Sequence, residues 1–287
     1  MSASEISRVD QILKRVLPSV ERALETILPH TLVLGLVEFF VFGIKQAWAC
    51  LFGGLLIAAI VLTHQIYPSD AALSRYDFLF LYAIALQVLF LITRLERPQE
   101  ALVIFTFHAV GTTMEVFKTD AGSWTYPEAS LLRIGDVPLF SGFMYAAVGS
   151  YFARVSRVLA FRWQAYPRLS FTLTLATGIY INFFSHHFIV DIRYGLFALT
   201  ALLFWRTRVH YRVWRWQHRM PLLLGFFLVS LFIWFAENIA TFARIWLYPD
   251  QTEGWQMVSL QKLGSWYLLM IVSWVLVTII HRPKRTS

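Results

Sequence analysis

The chain has 287 residues, of which 57% are hydrophobic and 15% charged, with 25 Phe and 11 Trp. Soluble domains carry roughly 25% charged residues, so the composition excludes a water-soluble globule and points to a polytopic membrane protein. The net charge of +8 does not imply nucleic-acid binding, because the basic residues sit in short runs between apolar segments. The lone Cys50 excludes an intrachain disulfide or a thiolate metal cluster and is expected to pack as a small apolar side chain.

Residues 1–30 lack the uninterrupted apolar core and cleavage site of a signal peptide. Ile6, Val9, Leu13, Val16, Val20, Leu24 and Ile27 fall at helical spacing with Arg, Lys and Glu between them, which predicts an amphipathic helix lying on the membrane. Residues 31–287 read as one transmembrane domain. Its apolar segments lie near 31–45, 48–66, 76–94, 99–118, 138–154, 169–186, 188–205, 221–243 and 261–281. Their lengths predict an all-α bundle of about 8–9 transmembrane helices, since a bilayer requires roughly 20 residues per crossing. The first two segments are expected to form a tight hairpin around Ile44-Lys45-Gln46, and the sixth and seventh another around His186-His187.

Basic clusters at 154–168, 206–219 and 281–285 mark cytoplasmic ends in a multi-pass inner-membrane protein. The loops 119–137 and 244–260 and the His186-His187 turn then lie outside. Counting back through the expected first hairpin puts the N-terminus outside as well, against the preference of Lys14, Arg15 and Arg22.

Glu115 begins a stretch that recurs at Glu237. With the two aligned, Thr119/Thr241, Ala121/Ala243, Trp124/Trp246, Tyr126/Tyr248 and Pro127/Pro249 coincide, giving six identities in thirteen positions without a gap. An interfacial aromatic and a helix-stopping proline explain the WxYP turn, but not a glutamate placed twelve residues before the proline both times. The pattern predicts a parallel internal repeat, with halves including about 99–155 and 221–281, that builds one site between its copies.

Carboxylates inside a membrane are costly, which makes Glu115 and Glu237 the first candidates for acid–base groups. His108 shares a helix face with Thr112 and Glu115 but has no counterpart in the second copy, where Ser230 stands. His187 and Asp191 are four apart and are expected to share a helix face as a proton-transfer pair. His186, His187, Asp191, Glu115 and Glu237 fall at one membrane depth and also suit a divalent metal. Proton chemistry and metal binding both fit, and the cofactor is open. Lys118, Trp124, Tyr126, Tyr145, Trp246, Tyr248 and Arg244 are candidate substrate-binding residues: cations for an anion, aromatic faces for a carbocation. Asp136 is expected to cap a helix opened by Pro138. Glu38 has no partner legible in the sequence.

The stretches KQAWACLFGGLL (45–56), FHAVGTTMEVFKTDAGSWTYPE (107–128) and GDVPLFSGFMYAAVGSYFARV (135–155) resemble a bacterial integral-membrane family of unknown function, DUF817. That resemblance implies a membrane architecture and no activity. Glu115, the Gly122–Tyr126 turn, Val137-Pro138 and Tyr145 also look like the carotenoid 1,2-hydratase membrane family, which implies acid-catalysed chemistry on a polyisoprenoid. The favoured reading is an outward-facing carboxylate/histidine site acting on a membrane lipid or isoprenoid. A proton- or cation-coupled transporter and a non-catalytic membrane subunit are the alternatives.

Overall fold

The computed structural model describes residues 8–68 and 70–280. Ile6 and the basic cluster at 281–285 lie outside the described residues. Each of the nine apolar segments contains a helix. In chain order the helices are α1 (Arg8–Glu25), α2 (His30–Ala49), α3 (Leu51–Ile66), α4 (Arg75–Ile92), α5 (Pro98–Asp120), α6 (Ser141–Val158), α7 (Leu169–Ser185), α8 (Arg193–Phe204), α9 (Leu222–Phe242) and α10 (Leu260–Ile280). Five of them, α2, α4, α5, α9 and α10, are long and apolar enough to cross a membrane.

Two small sheets interrupt the all-helical expectation. The basic clusters at 154–168 and 206–219 supply β3 (Arg162–Gln164), β4 (Arg208–Arg212) and β5 (Gln217–Pro221), an antiparallel sheet in the order β3-β4-β5. Trp163 faces Val209, which faces Met220, and all three stand on the apolar bundle side. The other sheet is a two-residue ribbon, β1 (Arg133–Ile134) with β2 (Val137–Pro138). Its turn is Gly135-Asp136, with Gly135 at φ +58°, a conformation glycine adopts without a Cβ penalty. Pro138 therefore ends a strand and Asp136 turns a hairpin; α6 begins only at Ser141 and has no side-chain cap.

The first two apolar segments do not form a hairpin. One residue, Cys50 (φ −80°, ψ 3°), separates α2 from α3, and near-helical dihedrals kink a helix without reversing it. Cys50 is exposed at this kink, not packed. The path is traced by contacts: the Lys45 ammonium reaches Val213 O at 2.5 Å and Asp10 at 2.7 Å beside the sheet. Thr63, at the far end of α3, meets Arg75 near the opposite pole. Although α2 satisfies length and composition for a crossing, it buries Glu38 and Lys45 against the sheet end.

Glu38 acquires a clear role there. Its carboxylate accepts the backbone N–H groups of Trp214, Arg215 and Trp216 at 3.1–3.3 Å, fixing the β4–β5 turn. Val9, Leu13 and Leu17 of α1 pack with Val33, Val37 and Val41 of α2 and with Val213 in a core separate from the main bundle. Ile12, Val16 and Val20 form a second, exposed stripe on α1. At the same end, Glu96 and Arg154 are both 1% exposed and joined at 2.7 Å, and Arg157 pairs with Glu100.

Candidate functional site

The site lies at the pole opposite the three-stranded sheet, where α5 and α9 end. The two helices stop in the same way. Gly122 (φ +69°) and Arg244 (φ +54°), 122 positions apart, both turn left-handed. Ser123 N–H returns to Lys118 O at 2.9 Å and Ile245 N–H to Ala240 O at 3.0 Å. These are the bonds of a left-handed helix cap. The loops that follow pair with each other: Thr125 and Leu247, again 122 positions apart, exchange both backbone hydrogen bonds at 2.9 Å.

The start of α4 fastens both loops. Arg75 binds Glu128 of the first loop at 2.5 Å and Ala243 O at the end of α9 at 2.9 Å. The Tyr76 hydroxyl donates to Ile245 O, and Asp77 accepts the N–H groups of Leu131 and Leu132.

Each loop returns its tyrosine to its own glutamate. Glu115 Oε2 accepts Trp124 Nε1 at 2.8 Å and Tyr126 OH at 2.6 Å, and Oε1 accepts Tyr145 OH from α6 at 2.6 Å. Glu237 Oε1 accepts Tyr248 OH, and Oε2 accepts Trp266 Nε1 from α10 at 2.7 Å. Tyr145 and Trp266 stand 30 and 29 residues after the glutamates they serve. Burial first, and then the facing Glu115 carboxylate, pushes the Tyr126 phenol well above its usual range. Burial and Glu237 do the same to Tyr248. Both phenols are therefore neutral, and each can donate to a carboxylate or accept from a carboxyl.

An indole N–H can only donate, whereas a phenol can also accept. The oxygen of each glutamate facing Trp must therefore remain an acceptor. A carboxyl proton would be received by a tyrosine hydroxyl, Tyr126 or Tyr145 at Glu115 and Tyr248 at Glu237. Neither carboxylate pairs with a lysine or arginine among the described residues.

A cavity of about 290 Å³ opens beside the two glutamates, with Glu237, Tyr145, Tyr248, Trp124 and Trp266 in its wall. Lys118, Lys262, Arg193, His186 and His187 line it too. Glu115 does not; Tyr145 and Trp124 stand between it and the space. Lys118 is 3% exposed and its Nζ meets His187 Nε2 at 2.8 Å and His186 Nε2 at 3.4 Å. Partial burial, then the adjacent Lys118 ammonium, lowers the His187 pKa, so His187 accepts from Lys118 as the neutral ring.

Several sequence expectations are redirected. His187 and Asp191 do not form a pair, because the chain from 186 to 192 is a turn, not a helix. Asp191 instead binds Arg193 Nε at 2.5 Å and Asn182 at 3.0 Å. Burial alone would raise its pKa, but Asn182 and Arg193 hold it below the usual range. His108 packs beside Phe143 (4.6 Å between ring centres, planes tilted) and does not line the cavity; its buried Nδ1 has no hydrogen-bond partner among the described residues. Trp246 and Arg244 do not line the cavity; Arg244 serves as the left-handed helix end. Among the described residues, no three His, Cys, Asp or Glu side chains form a group that could hold a metal ion. Trp266 was missed, since a tryptophan inside an apolar helix reads as packing; its spacing from Glu237 was the available signal.

The chain is 44% identical over 246 residues to the uncharacterized protein YoaT of Bacillus subtilis (strain 168), covering 86% of this chain and 92% of that protein. No solved structure matches. The likeness to the carotenoid hydratases gains no support from these comparisons. The model of the family described as "Protein of unknown function (DUF817)" matches residues 38–274, and the chain belongs to that family.

Proposed function

We propose that this is a multi-pass inner-membrane enzyme that carries out acid–base chemistry on a lipid or isoprenoid, with Glu237 as the group that meets the substrate. The observation that carries the reading is the unequal setting of the two glutamates. Glu237 has one neutral hydrogen-bond partner on each oxygen and lines the cavity, whereas Glu115 has three partners and does not line it.

In this mechanism the Glu237 carboxyl gives its proton to one carbon of an alkene and the resulting cation is met by the aromatic faces of Trp124, Tyr145, Tyr248 and Trp266. A proton lost from a neighbouring carbon to the Glu237 carboxylate restores neutrality and the acid, so isomerisation or cyclisation balances without an oxidant or a second substrate. Glu115, touching Tyr145, orients and polarises that hydroxyl; it is a positioning residue.

The architecture we propose is a parallel internal repeat whose axis passes between Thr125 and Leu247, with α3 to α10 crossing the bilayer. The left-handed helix ends repeated 122 positions apart support this. The end bearing the three-stranded sheet, rich in arginine, faces the cytoplasm. The kink at Cys50 brings α1 to that same end, which removes the conflict with Lys14, Arg15 and Arg22. The exposed stripe of α1 then lies on the inner leaflet.

The test compares whole lipid and pigment extracts from a strain lacking the gene, complemented with the wild type or with Glu237→Gln. Restoration of a missing product by the wild type alone supports the reading. Restoration by both sinks it.

A further inference from the structure

The cavity holds more positive charge than its hydrogen bonds explain. Lys118 is buried, yet among the described residues its ammonium meets the His186 and His187 rings and the face of Phe183, 4.2 Å from the ring centre. Lys262 lies over the rings of Tyr248 at 4.2 Å and Trp124 at 5.3 Å. Among the described residues neither lysine has a carboxylate within ion-pairing distance. The remaining cation, Arg193, has one edge on Asp191 and also lines the cavity.

A buried ammonium without an anion loses hydration and gains nothing of equal strength. The arrangement is stable in a functional cycle when an anion completes it. Two lysines offer point charges suited to phosphate oxygens, and an arginine adds a planar fork. Next to them the wall turns apolar, with Ile179, Phe183, Leu268 and Leu269.

We propose that the cavity binds a phosphate-headed amphiphile, its head between Lys118 and Lys262 and its tail along Ile179, Phe183, Leu268 and Leu269. This deepens the acid–base reading, resting on it only for the use of the same cavity, and it places the reacting carbons near the head group. Glu237 and Tyr248 stand in the same wall as Lys262, so chemistry falls at the first carbons of the chain, not at its far end.

The test is thermal stability of the intact detergent-purified protein with dodecyl phosphate, dodecanol, dodecanoate or inorganic phosphate. Dodecyl phosphate is expected to raise the Tm of the wild type and of Glu237→Gln by several degrees. The rise should be lost in Lys118→Met/Lys262→Met, and also in the milder Lys262→Met, whose site is less buried than that of Lys118. An equal rise from dodecanol, or one that survives both lysine variants, overturns the proposal. Equal rises from dodecanoate or from inorganic phosphate overturn the phosphate head or the apolar tail respectively. Because binding is read without turnover, a Glu237→Gln protein that complements fully would defeat the acid–base reading while leaving this result intact.

Discussion

Thr125 and Leu247 pair with each other through two backbone hydrogen bonds, although 122 residues separate them in the chain. They occupy the same place in the two copies of the glutamate–WxYP stretch. The bridge thus joins equivalent points and sets Tyr126 and Tyr248 on their respective carboxylates. The donors from the following helices diverge: Tyr145 of α6 serves Glu115, and Trp266 of α10 serves Glu237.

That divergence predicts unequal effects on activity. Glu237→Gln is expected to lower turnover by about 10²–10⁴, the usual contribution of a positioned acid or base. Tyr145→Phe, which leaves Glu237 intact, should lower it less. Product formation per mole of protein in proteoliposomes checks the order; equal losses would contradict the assignment.

Glu115 should dominate stability. Replacing it with Ala removes the acceptor of three buried donors, whereas Tyr126→Phe removes one hydrogen bond to a carboxylate, worth about 1.5–3 kcal/mol. The Tm is expected to fall in the order wild type, Tyr126→Phe, Glu115→Ala.

Arg244 holds a left-handed conformation that Gly122 adopts in the first copy. A side chain there costs roughly 1–2 kcal/mol, offset in part by the greater freedom of glycine in the unfolded chain. Arg244→Gly is therefore expected to raise the Tm slightly, and Gly122→Val to lower it, as read in a melting curve.

Close packing between α5 and α6 supports the site. A Cβ on Gly111 would meet the Tyr145 ring at 2.6 Å, and one on Gly142 would clash with His108 Nδ1 and Thr112 Oγ1. Overpacking of this kind costs about 1–3 kcal/mol, so both alanine variants should be destabilised. Gly54→Ala, with open space around it, serves as the control. Gly111→Ala should also lower activity by displacing Tyr145.

The orientation is open to labelling. In a Cys50→Ala background, Leu131→Cys at the motif pole should react with an impermeant maleimide on intact cells. Arg15→Cys, at the sheet pole, should react only after lysis. The reverse pattern would invert the proposed topology.

The apolar segments were legible because each apolar run is longer than an ordinary strand, and length arbitrates between strand and helix. The duplicated glutamate was legible because a repeated polar residue in apolar sequence stands out against its surroundings. Pairings between distant segments were not. Nothing local in 206–219 distinguishes a charged loop from β4 and β5, whose register depends on β3 and on Glu38 clamping their turn. The expected hairpin at Lys45 failed because a polar residue between apolar runs reads as a loop, while in the fold its ammonium reaches Asp10 and two carbonyls. Sequence by itself determined the helices and singled out the glutamates, both consequences of local solvation. Tertiary structure alone decided which glutamate faces the cavity and that Lys118 meets His187 in place of Asp191, because those depend on which helices become neighbours.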